Sequence, residues 1–191
     1  PTAPGRGLKA PDTARFRPGR AAARARDISG AQSAMSQLRD STARKLVEWA
    51  LIDTSGEQLS YAELAQAQTD LAGWPRAESR RAAAEVVLDR TGAAPNAVMA
   101  LFSDHAPETV QGAIANAAAL EQRGRRDEAR ALIRDWWRTR SFDEAPQSRI
   151  LARWGGWLTP DDHEARLNML LLGPHGPATR AMVSLVSPER A

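Results

Sequence analysis

The 191-residue chain contains no cysteine, which excludes a disulfide framework, a thiol nucleophile and a thiolate metal site. It also lacks any run approaching the roughly 18 apolar residues that a membrane-spanning helix needs, so no membrane span is expected. Aromatic residues are scarce, 5% of the chain with a single tyrosine. β-Branched residues are few as well, which leaves little to build strands from. No charged n-region followed by an apolar stretch is present, so no secretory leader is read. The chain opens on Pro1 rather than methionine and is expected to be a processed product or a segment of something longer.

Signatures of catalysis are missing too. The three histidines, His105, His163 and His175, include no pair four residues apart, so no two-histidine metal face is expected on a helix. Asp161-Asp162-His163 occupies one helical turn, where three side chains diverge, and acids at a helix N-terminus already have a structural reason. No Gly-x-Ser-x-Gly elbow is found. Gly155-Gly156 lacks the spacing and the lysine of a phosphate-binding loop. Glu78, Glu85, Glu121, Glu128 and Asp135 lie in arginine-rich helical stretches, where pairing lowers a carboxyl pKa rather than raising it as a glycosidic acid requires. They are read as a solvated charged face. No catalytic residue, cofactor site or metal site is expected in this chain.

What is present favours helix. Alanine supplies 37 of the 191 residues, and it is the strongest helix former. All but two of the 26 basic residues are arginine, and the formal net charge is +3. The excess sits at one end. Residues 1–26 hold seven basic residues against Asp12 alone, leaving 19 basic and 22 acidic residues in 27–191, a net of −3. A body of that sign is not expected to bind nucleic acid. With Pro1, Pro4, Pro11, Pro18, Gly5, Gly7 and Gly19 punctuating it, 1–19 reads as an extended linker or an arm ordered by contact, within a 1–26 Pro/Arg-rich tail, and 27–191 as the folded domain.

Helical spacing runs from about 31 to 53, with a candidate break at Asp40-Ser41. Ser60 and Glu63 form a capping box ahead of Tyr61, Leu64, Leu71 and Ala72. A third helix is expected from Trp74-Pro75 to Thr91, closed by Gly92. Further helices are expected over Pro95–Ser103, Pro107–Arg123 (stopped by Gly124), Arg126–Arg138, Asp143–Trp154, one from Thr159-Pro160, and Pro177–Val186. Turns of two to eight residues imply antiparallel neighbours. Leu120-x-x-x-Gly124-x-x-x-x-Ala129 resembles the turn of a tetratricopeptide hairpin, and 61–91 and 109–139 are each near that repeat's length. The expected fold is therefore all-α: an irregular right-handed α-α superhelix of stacked hairpins, with a compact helical bundle as the alternative.

One pattern is regular enough to be a candidate contact surface. Arg126, Arg130, Arg134 and Arg138 recur every four residues beside the apolar stripe of Ala129, Leu132, Ile133, Trp136 and Trp137. Guanidinium forks suit carboxylates and phosphates. The stripe is read either as pairing with Asp127, Asp135 and acids of an adjacent helix, or as a contact for a glycan or another domain. Of the six tryptophans, Trp49, Trp74 and Trp136 are expected in packing, whereas Trp137, Trp154 and Trp157 stay open.

A series of short motifs then gives a family likeness. Ser60-Tyr61-x-Glu63, Trp74-Pro75, Ala100-Leu101-Phe102 and Pro107-x-Thr109-x-x-Gly112 come first. Gly124-Arg125-x-x-x-Ala129, Ala131-Leu132-Ile133-Arg134-x-Trp136-Trp137-Arg138, Leu158-Thr159-Pro160-x-Asp162-His163-x-x-Arg166-x-Asn168-x-Leu170-Leu171 and Arg180-Ala181-Met182 follow. In this order, over about 58–191, the chain resembles the helical N-terminal region of bacterial soluble lytic murein transglycosylases. The resemblance implies a periplasmic parent enzyme that cleaves the β-1,4 bond between N-acetylmuramic acid and N-acetylglucosamine, leaving a 1,6-anhydro end. It implies peptidoglycan glycan strands as the partner, together with a lysozyme-like catalytic domain further along the same polypeptide. That domain's Glu-Ser and Gly-Leu-Met-Gln stretches do not occur here as a unit: Glu78-Ser79 is the only Glu-Ser pair. The chain by itself is expected to be inactive. The alternative reading is a stand-alone helical-repeat adaptor for a protein or peptide.

Overall fold

The computed structural model describes residues 7–173 and 176–186. Among them every regular element is helical. The all-α class expected from the sequence is therefore the class observed, with helices packed on helices. The chain divides into two compact units, 1–87 and 88–191.

In the first unit, α1 (Ala10–Arg24), α2 (Ile28–Gln37) and α3 (Ser41–Ser55) pack on one another. Of the two readings of 1–19, the extended linker does not hold over 10–19, which belongs to helix α1. Pro11 sits in its first turn, where the missing N–H costs nothing, and Pro18 lies on the exposed side. The buried stripe is Asp12, Gly19 and Ala23, so two of its three residues carry no apolar signal. Gly19 lets α1 approach closely: a Cβ there would stand 2.6 Å from that of Ala34 and 3.5 Å from a Val47 methyl. Asp12, 4% exposed, accepts hydrogen bonds from the backbone N–H groups of Arg39 (3.0 Å) and Asp40 (3.1 Å). These long-range contacts outweigh the local helix-breaking signals.

The break near Asp40 is real. Residues 38–40 separate α2 from α3, and the Asp40 carboxylate accepts the Ala43 N–H at 2.8 Å as an N-cap. After a 3-10 turn at Gly56–Gln58, α4 (Tyr61–Asp70) opens with the expected Ser60/Glu63 capping box. Helix α5 runs Ala77–Thr91 and so starts two residues after the proline expected to open it. The cause is Arg76, whose φ of 62° places it in the left-handed region. Gly92 (φ 66°) follows the end of α5 as expected.

The second unit holds α6 (Pro95–Leu101), α7 (Val110–Gln122), α8 (Arg126–Thr139), α9 (Glu144–Trp154), a 3-10 turn at Gly155–Trp157, α10 (Pro160–Leu171) and α11 (Pro177–Val183). Gly124, at φ 75°, turns the chain so that α8 returns along α7, and α10 packs against α8. The core centres on Ile133, Trp136, Trp137, Ile150, Trp154, Leu167 and Met182. The Thr159/Asp162 pair forms a second capping box at α10. His175 and the last residues of the expected Pro177–Val186 helix's flank, 187–191, lie outside the described residues.

Candidate contact surface on α8

The four arginines of α8 do not behave as one stripe. The two nearer its C-terminus are tied down. Arg134 donates through Nε to Asp162 Oδ2 (2.9 Å) and through Nη2 to Oδ1 (3.1 Å), and Arg138 Nη1 reaches Oδ1 at 2.8 Å. The partner is thus an acid of the adjacent helix α10, as one of the two sequence readings held, although it is neither Asp127 nor Asp135. The Asp162 side chain has no exposure, whereas those of Arg134 and Arg138 are 41% and 43% exposed. Burial would raise the Asp162 pKa. Hydrogen bonds from Arg134, the Thr159 backbone and Arg138 outweigh it and hold the carboxyl well below its usual range. One carboxylate therefore caps α10 and fastens α8 to it.

The two arginines nearer the N-terminus take a different partner. Arg126 and Arg130 lie over the Trp157 ring, 5.6 and 5.8 Å from its centroid. Trp157 stacks on Trp154 at 5.9 Å and 27°, and Arg153 covers Trp154 at 4.8 Å. Glu121 closes the row by accepting from Trp154 Nε1 (3.2 Å) and Arg153 Nη2 (3.1 Å). Some desolvation opposes those bonds, yet they keep the Glu121 carboxyl below its usual value. The result is a ladder of guanidinium, indole, indole and guanidinium, in which Trp157 and both α8 arginines keep solvent exposure. Cations over indole faces gain from the ring quadrupole and lose little of their outward hydrogen-bonding capacity. Such a surface can hold a carboxylate on the forks while an apolar C–H face rests on the aromatic edge.

One buried residue has a role that the sequence did not disclose. Arg166 is fully buried. Its guanidinium stands 3.9 Å from the Phe142 ring centroid and 4.6 Å from that of Trp137. It donates to Gln147 Oε1 (2.8 Å) and to the carbonyls of Trp137 (3.2 Å) and Arg140 (3.1 Å). Burial lowers its pKa to about 10. The available signal was the i, i+4 spacing of Asp162 and Arg166 on a helix whose other inward positions are apolar.

The remaining candidates fall elsewhere. Trp137, open in the sequence, is fully buried, as is Trp136 nearly so, while Trp49 and Trp74 are partly buried against the core of the first unit. His163 meets Trp137 edge-on at 5.6 Å. Among the described residues no three His, Asp or Glu side chains converge as a metal site. Glu85, expected on a solvated face, is instead fully buried. Glu48 lines an apolar groove of about 350 Å³ with Leu51 and Leu59, and burial, then the nearby Asp70, raises its pKa. Compared with family models, curated proteins and solved structures, the chain matches none.

Proposed function

We propose that this chain is the non-catalytic helical region of a periplasmic lytic transglycosylase, guiding peptidoglycan glycan strands and positioning a lysozyme-like catalytic domain of the same polypeptide. One observation carries the reading. Residues scattered through the motifs of the resemblance pair across α8 and α10, the exposed Arg138 with the buried Asp162 and the buried Trp137 with the buried Arg166, which gives their spacing a common physical purpose. On the same helix α8, the Arg126/Arg130/Trp157 ladder offers the chemistry a glycan strand needs: forks for the carboxylates of muramic acid and its peptide, and an indole for the sugar face.

Co-sedimentation with purified sacculi tests the proposal. The chain is expected to bind without releasing 1,6-anhydro products, and replacing Arg126 and Arg130 together by alanine is expected to weaken binding about tenfold, near 1.4 kcal/mol. Absence of binding by the unaltered chain would discard the glycan reading in favour of the adaptor.

A further inference from the structure

The described chain has two non-glycine residues with positive φ, Arg26 and Arg76, both at 62°. Glycine occupies that region freely, whereas a side chain is crowded there. Although 50 positions apart in sequence, both arginines line one cavity of about 420 Å³ in the first unit. At Arg26 the conformation has a local reason, since this is the left-handed residue that closes α1, its N–H on the Ala23 carbonyl (3.2 Å) and the next N–H on that of Ala22 (2.9 Å); what the two positions share is the concavity that both residues line.

The cavity's charges define what fits. Its wall contains Arg26, Arg76 and Arg80 together with Asp53 and Glu57, a balance of one positive charge. Arg76 pairs with Asp53. Arg80 is only 4% exposed, and its Nη atoms serve the carbonyls of Leu71 (3.0 Å), Trp74 (3.1 Å) and Pro75 (2.5 Å), leaving Nε buried without a partner. It adds fixed positive charge that no carboxylate cancels directly. The Arg26 guanidinium is exposed and makes no side-chain bond among the described residues. A free planar fork beside a second arginine suits a carboxylate. The two acids in the wall oppose anything of higher negative charge.

We infer that this cavity is a binding site for a small monocarboxylate of sugar-acid size, its carboxylate gripped by the free Arg26 fork, with the Asp53-paired Arg76 in the same wall, and its polar body resting toward Ser79 and Trp49. The inference does not depend on the glycan reading of α8.

Proton–nitrogen NMR of the full chain, titrated with D-glucuronate, D-glucose and glucose 6-phosphate, tests it. The Trp49 indole N–H, bonded to the Pro75 carbonyl at 3.1 Å, and the amides of residues 53–57 and 79 report occupancy. Glucuronate is expected to shift them saturably, glucose to leave them unmoved, and glucose 6-phosphate to bind more weakly than glucuronate. Arg26→Gly, which keeps the backbone conformation, and Arg26→Gln, which keeps side-chain bulk, are each expected to weaken glucuronate at least about tenfold. No saturable shift with glucuronate, equal shifts with glucose, tighter binding of the phosphate, or unchanged binding in both folded variants would overturn the inference.

Discussion

Seven of the fifteen buried residues in the core of the first unit are alanine, whereas the core of the second unit has three alanines and three tryptophans among sixteen. Small side chains bring helix axes together, and the fit then depends on the absence of atoms, as at Gly19. Large indoles hold helices apart, and the spaces between them are closed by polar groups: Asp162 with two arginines, and Arg166 over Trp137 and Phe142. The first kind of core is injured by addition and the second by removal. A close-packed interior penalises both errors.

That contrast can be broken or sharpened by substitution. The largest effect is expected from Trp137→Ala, which empties the centre of the second core and strips Arg166 of a ring. A loss of about 3–5 kcal/mol in denaturant unfolding checks it, and a loss below 1 kcal/mol would show that the indole is not central. Asp162→Asn keeps the shape and removes the charge. It is expected to cost about 2–3 kcal/mol, because charge-assisted bonds to Arg134 and Arg138 and part of the cap go together. The same group sets an acid limit. Its folded pKa lies below the unfolded value of about 3.9, so its stabilisation is complete above that pH and is lost as pH falls through the folded value. The asparagine variant is expected to lack this acid limb in a plot of Tm against pH.

In the first unit Gly19→Ala, an addition of one methyl group, is expected to cost about 1–3 kcal/mol by overpacking, although alanine is the better helix former. An unchanged or higher Tm would erase the distinction between the two cores. The smallest effect belongs to His163. Burial lowers its pKa against the opposing pull of Asp162, so the unfolded chain takes up its proton first. Stability is expected to fall as pH drops below about 6.5, and His163→Gln is expected to flatten that slope.

What could be read from the sequence was local. Ser60 with Glu63, Thr159 with Pro160, Gly92 and Gly124 act within one helical turn, and the helices they bound were placed to within a few residues. Helix α1 was missed because its inward face is written in aspartate and glycine, whose partners lie at Arg39, Asp40, Ala34 and Val47. The α8 arginines were visible as a repeat of four, but not their division between Asp162 and Trp157, since each partner comes from a different later segment. Trp154 and Trp157 gave only a spacing, and no local rule states that a 3-10 turn will stack them.

The seating of α1 bears on how the protein can be cut. A truncation beginning at Asp27, natural to anyone trimming an arginine-rich opening, would bare Ala31, Ala34 and Val47 to water and leave the Arg39 and Asp40 amides without their acceptor. The shortened polypeptide is then prone to self-association through the uncovered flank.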